Sequence, residues 1–305
     1  MASVYKVIDQ EVGQPRAVKV LSGAQCSPIA LELFRSEFAR ISSFEHPHIV
    51  RVFDFGASGD AFYFVMEYLT GMHFDNALSG KSIQEVARVC MQICAALSYI
   101  HLRGVVHGDI KPANVIVTGG TGVGTAASGA GLTAKVTDFG LSRMMAEAGI
   151  WGGTQNYVAP EVIRGLSVDG RSDLYSLGAM LYETLTGASL FAEPTREALL
   201  RAHLLKRPAS PRDINPSIPG HLQGIVLKLL EKEPGQRFQT ADQLSQALRP
   251  LAGVTAQLEA VLPQPVVILH SETIGREDVA DALNEAVTGC AERHRGGFFL
   301  ITGEA

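Results

Sequence analysis

The period of the hydrophobic pattern changes along this chain, and the change separates two unlike lobes. Over residues 3–20 apolar and β-branched side chains alternate about the turn-like Glu-Val-Gly-Gln-Pro, which predicts two antiparallel strands. Residues 49–55 and 61–68 repeat that pattern on either side of 56–60, and Thr70-Gly71 breaks it. Between the strand pairs, residues 29–44 carry apolar side chains at helical spacing until His46-Pro47 stops them. Beyond that the period is helical, at 83–102, 171–185, 196–204, 221–230 and 241–248. A strand alternates its faces residue by residue, whereas a helix returns to one face every 3.6 residues, so each pattern demands its own architecture. The expectation is an α+β chain with a small β-rich lobe over about 1–69 and a larger helical lobe over about 70–251.

The bulk composition removes several function classes. At 46% hydrophobic and 19% charged residues the chain is expected to fold nearly throughout. A net charge of -5, from 26 basic and 31 acidic side chains, offers no basic field for nucleic acid or an anionic membrane. No apolar run approaches the roughly 18 residues that span a bilayer, and no signal-peptide pattern follows Met1, so no membrane partner is indicated. Cys26, Cys90, Cys94 and Cys290 have neither metal-ligand spacing nor the density of a disulfide framework, which suits a reducing cytoplasm. Cys90 and Cys94 share a helical face and are expected in the core rather than as a redox pair. The tract GGTGVGTAASGAG at 119–131 lacks a following Lys-Ser/Thr, so it is read as a loop insertion and not a phosphate loop.

Phosphoryl transfer to a hydroxyl needs held phosphates, metal ions bound by carboxylate and amide oxygens, and a carboxylate aligned with the attacking oxygen. HGDIKPANVIV puts Asp109, Lys111 and Asn114 on a short loop entering a strand, and TDFG supplies Asp138. With these motifs in this order the chain resembles the eukaryotic-like serine/threonine protein kinases of bacteria, from Met1 to about Leu251. The resemblance implies a bilobal kinase fold, ATP and Mg2+ as cofactors, and a protein substrate with a Ser or Thr acceptor. It implies Asp109 as the group that orients the acceptor hydroxyl and Lys111 as the charge on the transferred phosphoryl. Lys19 of AVKVL would hold the α and β phosphates, paired with Glu37 of FRSEFARI, while Asn114 and Asp138 would hold Mg2+. FVMEYLTG would be the hinge, with Met66 facing the adenine and backbone near Glu67 and Leu69 reading its edge. Glu161 of VAPE would pair with Arg237, Thr154 would lie near the acceptor, and Asp173 would brace the catalytic loop through N–H groups. Two other readings share these motifs. A pseudokinase scaffold would keep the fold without turnover, and a small-molecule phosphotransferase should lack the Glu161 and Arg237 segments.

Three departures from the family pattern carry expectations of their own. MASVYK resembles the end of a glycine-rich loop, so the small lobe is expected to lack its first strand and leave a sheet edge unpaired. Gly108 stands where an Arg usually receives a phosphorylated loop residue, and between Asp138 and Glu161 the hydroxyl side chains are Ser142, Thr154 and Tyr157 alone. Control by activation-loop phosphorylation is therefore not expected. After a linker at 252–270, residues 271–305 with ETIGRED and ITGEA resemble the opening of an AAA or signal-transduction ATPase module, a downstream partner within a longer chain.

Overall fold

Alternation in the first 68 residues produces one antiparallel sheet. In the computed structural model, which describes residues 3–21, 28–119, 131–139 and 155–253, β1 (Ser3–Ile8) pairs with β2 (Pro15–Leu21). After α1 (Pro28–Ile41), β3 (Val52–Ser58) and β4 (Ala61–Glu67) complete the order β1-β2-β4-β3. The register sets Ala17 opposite Met66 and Lys19 opposite Phe64, so these four side chains share one face. Phe34 and Phe38, one turn apart on α1, press onto that face with ring centroids 5.0 and 6.1 Å from Phe64. β1 lies at the sheet's end and exposes all six residues, as an edge strand there must.

β5 (Met72–His73) and α2 (Phe74–Leu78) lead out of the sheet into the helical lobe, and the first long helix is α3 (Ile83–His101). Ser82 and Glu85 cap α3 reciprocally, each side chain accepting from the other's backbone N–H. Its buried stripe of Val86, Val89, Ile93, Leu97 and Ile100 is the spine of the lobe, each residue contributing roughly 1.5–3 kcal/mol by leaving water. Cys90 and Cys94 lie in that stripe, as core positions. Burial pushes the Cys90 thiol up to about 12 and Cys94 well above its usual value, so both are inert.

A second small sheet follows, ordered β5-β6-β7, with β6 at Val115–Thr118 and β7 at Thr133–Val136. Then come α4 (Pro160–Ile163), α5 (Gly170–Thr186), α6 (Arg196–Leu205), α7 (Pro211–Ile214), α8 (Gly220–Leu229) and α9 (Ala241–Ala252). α5 and α8 meet where a Cβ on Gly178 would stand 2.6 Å from Cβ of Leu229, so only glycine permits that approach. No described helix is long and apolar enough to cross a membrane.

Several boundaries shift from the sequence expectation, and α9 runs to Ala252 rather than 248; two other shifts have a cause in the packing. α1 stops at Ile41 rather than 44, because Phe44 leaves the helix to pack against Phe139 and Tyr99. The strand expected at 49–55 runs over Val52–Ser58, because Ile49 bridges Val136 in the other sheet. Cys26, Cys290, residues 120–130 of the insertion, Ser142, Thr154 and the expected ATPase opening lie outside the described residues.

Candidate active site

Lys19 stands on β2 facing α1, and there it meets two carboxylates. Its Nζ donates to Glu37 Oε1 at 2.6 Å and to Asp138 Oδ1 at 3.0 Å. Burial alone would lower the Lys19 pKa, but Asp138 and Glu37 together outweigh it, so the ammonium is held above its usual value and stays charged. Asp138 reaches Lys19 from a φ of 55°, a conformation that non-glycine residues rarely take, and it keeps a side-chain exposure of 39%.

The second group of residues sits on the loop between α3 and β6. A single turn of 3-10 helix at Pro112–Asn114 folds Asn114 back, so that its Nδ2 donates to Asp109 O at 2.8 Å and to Asp109 Oδ2 at 2.9 Å. Lys111 Nζ donates to the same Oδ2 at 2.6 Å. One oxygen of Asp109 is thus fixed by two donors, and the amide oxygen of Asn114 is its remaining ligand atom. Thr137 N donates to Asn114 O at 2.9 Å, tying this loop to the strand end that carries Asp138.

His107 joins the two loops and was not singled out in the sequence. Its Nε2 donates to Thr137 O at 3.0 Å while its Nδ1 accepts from Asp109 N at 3.2 Å, an arrangement that requires the neutral ring. Burial lowers the His107 pKa and so favours that form, and Phe139 covers the ring with centroids 4.6 Å apart. The signal available in the sequence was only its place two residues before Asp109.

Beneath the loop, Asp173 in the first turn of α5 accepts from Gly108 N at 2.8 Å, His107 N at 2.9 Å and His101 Nε2 at 2.8 Å. Burial would raise its pKa, but the His101 hydrogen bond and the other donors reverse that and hold the carboxyl below its usual value. Gly108 has a φ of 76°, which glycine adopts without a Cβ clash. Farther out, Arg237 grips Glu161 with two hydrogen bonds of 2.7 and 2.8 Å, and its remaining N–H capacity goes to the carbonyls of Arg171, Glu231 and Lys232.

At the connection between lobes Met66 is buried, and Glu67 N–H is committed to Arg51 O. The Glu67 carboxylate accepts from Lys135 Nζ at 2.6 Å, a contact between β4 and β7 to which no motif points. Lys19, Glu37, Asp109, Lys111, Asn114 and Asp138 are therefore bound into one hydrogen-bonded assembly, with Met66, Glu67 and Leu69 at the strand end beside it. Among the described residues no cluster of three or more His, Cys, Asp or Glu side chains could hold a metal ion alone. The donors present, a half-exposed carboxylate and an amide oxygen, fit a hard cation whose other ligands are phosphate and water.

The protein-family description "protein kinase domain" matches residues 1–248. A probable serine/threonine-protein kinase of Streptomyces coelicolor is 36% identical over 259 residues, covering 80% of this chain and 37% of that protein. The serine/threonine-protein kinase PknB of Mycolicibacterium smegmatis is 33% identical over 262 residues, covering 80% and 40%. This chain thus spans well under half the length of these relatives. Among solved structures, the kinase domain of Mycobacterium tuberculosis PknI superposes with a TM-score of 0.62 at 25% identity, covering 83% of this chain and 92% of that one. Rad53 in complex with AMP-PNP gives a TM-score of 0.63 at 28% identity, covering 82% and 62%. With the family's domain matched over residues 1–248, the chain belongs to the protein kinase family, and the relatives it matches are bacterial serine/threonine-protein kinases.

Proposed function

We propose that residues 1–251 transfer the γ-phosphoryl group of ATP to serine or threonine hydroxyls of a protein substrate in bacterial signalling. The observation that supports this most is the joining of the Lys19–Glu37–Asp138 network to the Asp109–Lys111–Asn114 network through Thr137 and Asn114. Those bonds link a carboxylate suited to the acceptor, a lysine suited to the phosphates and oxygen donors suited to a cation. In this reading Lys19, charged and steadied by Glu37, holds the α and β phosphates. The acceptor oxygen attacks the γ-phosphorus, the bond to the β-phosphate oxygen breaks, and the hydroxyl proton passes to Asp109. Lys111, already 2.6 Å from Asp109, offsets negative charge on the group in transit. A Mg2+ ion held by Asp138 and Asn114 would supply charge neutralisation at the phosphates. Because Glu67 N–H is taken by Arg51, the adenine edge is read by the Glu67 carbonyl and the Leu69 backbone, with Met66 against the ring. None of Lys19, Glu37, Asp109, Asn114 and Asp138 is missing, and no observation favours a scaffold without turnover.

Asp109→Asn tests the division of roles. The account expects turnover to fall by roughly 10²–10⁴ with ATP affinity changed only a few-fold, since the group acts on the acceptor. Loss of ATP binding with intact turnover per bound nucleotide would reverse the assignment. We also read 252–270 as a linker and 271–305 as the opening of an ATPase module, on the strength of GRED and ITGEA. A protein extended past Ala305 should then bind two nucleotides per chain, and a stoichiometry of one would refute the module.

A further inference from the structure

β7 is only four residues long and lies at the end of its sheet, yet the chain delivers Asp138 two residues after it. Its outer edge would leave N–H and C=O groups unpaired, and each finds a partner from elsewhere. Gln92 Nε2 donates to Leu132 O at 2.8 Å, and Gln92 Oε1 accepts from Ala134 N at 2.7 Å. His48 Nδ1 donates to Ala134 O at 3.0 Å, Val136 N donates to His48 O at 2.9 Å, and Val50 N donates to Val136 O at 2.9 Å. One carboxamide thus stands in for a residue of a neighbouring strand, offering a donor and an acceptor to the groups on either side of Thr133.

We propose that Gln92 is a positioning residue for metal–nucleotide binding, whose side-chain amide fixes the register in which β7 presents Asp138. The proposal rests on the kinase reading above. The chain enters β7 from the tract of Gly, Ala, Ser and Thr at 119–131, and side chains of that kind offer little to hold a strand in place. A slip of one residue would turn every side chain to the other face and move Asp138 by about 3.3 Å. Gln92 prevents this from a rigid base. It sits among the buried Val89, Cys90, Ile93 and Cys94 of α3, and the same helix runs on into the loop of His107 and Asp109. One helix therefore sets the heights of both Asp109 and Asp138.

The side chain must present one donor and one acceptor at the end of a chain of fixed length. Met at this position keeps the length and loses both hydrogen bonds, whereas ionised Glu keeps the acceptor for Ala134 N and sets an oxygen against Leu132 O. The test uses the full chain, with calorimetric titration of ATP with and without Mg2+ and hydrogen exchange at the Ala134 amide. For Gln92→Met the proposal expects faster exchange at Ala134 and MgATP affinity lowered about tenfold, while metal-free ATP binds as to wild type. Gln92→Glu should retain protection at Ala134 and lose part of the MgATP affinity, and it decides the matter should the Met variant not fold. Variants that bind MgATP like wild type, or that lose ATP equally with and without metal, overturn the proposal. A wild-type chain that binds no MgATP overturns the kinase reading and this proposal together; wild-type binding with indifferent variants overturns this proposal alone.

Discussion

Lys232 places its ammonium 4.8 and 5.7 Å from the ring centroids of Phe191 and Tyr175, where the buried Nζ has no hydrogen-bond acceptor among the described residues. Burial, with Arg237 nearby, lowers its pKa to about 8 from 10.5. At neutral pH the group is charged both folded and unfolded, so the fold carries the cost of a buried charge, which the rings only partly offset. That cost is fully present below pH about 8 and fades as pH rises toward 10.5, where the unfolded chain also loses the proton. Lys232→Met should therefore raise the thermal midpoint at pH 7 by a few degrees, roughly 1–2 kcal/mol, with the gain shrinking above pH 8. A lower midpoint at pH 7 would mean that the ring contacts outweigh burial. At this scale the sequence displayed the groups of the site, with Glu37 and Asp173 among their supports, but not every polar residue that aims them. Asp109, Asn114 and Asp138 lie in spaced motifs, whereas Gln92, His107 and Lys232 take their roles from partners 30 or more residues away, or from burial.

At the scale of elements, the Glu161–Arg237 pair pins the short α4 to the turn before α9, and Ser172 Oγ adds a third donor at 2.6 Å. Removing one partner strands the other charge in the interior, so Arg237→Met should cost roughly 3–5 kcal/mol in denaturant unfolding. Adding Glu161→Gln to it should recover part of that loss, and a double variant no more stable than Arg237→Met would argue against coupling. Burial works to raise the Glu161 pKa, but Arg237 lowers it below 4.5 on balance, so its stabilising effect is complete above that value and is lost only as pH falls through the lowered one. Long elements were legible because their period is. Residues 83–102 and 196–204 became Ile83–His101 and Arg196–Leu205. Met72–His73, Phe74–Leu78, Pro160–Ile163 and Pro211–Ile214 are too short to show a period and were not anticipated.

For the whole molecule, the order of motifs conveyed two lobes, a site and Asp173 under the loop of His107 and Gly108, while the ties from His101 to Asp173 and from Lys135 to Glu67 needed the fold. Gly108 offers no guanidinium to a phosphate, its N–H is bound to Asp173, and the Tyr157 hydroxyl donates to Glu183 at 2.6 Å. Phosphatase treatment of a longer form of the protein should leave its activity unchanged, whereas deletion from Ile274 onward should alter it. Activity that vanishes together with a phosphate on Ser142 or Thr154 would defeat that view.

The most direct measurement is transfer of labelled γ-phosphate from ATP to a generic protein substrate by wild type and Lys19→Met in parallel, with the product hydrolysed to its phosphoamino acids. The account predicts phosphoserine and phosphothreonine from wild type and a rate lower by about 10² or more for Lys19→Met, because Lys19, joined to Glu37 and Asp138, is the group proposed to hold the phosphates. Equal rates for the two proteins, or label found only on tyrosine, would contradict it.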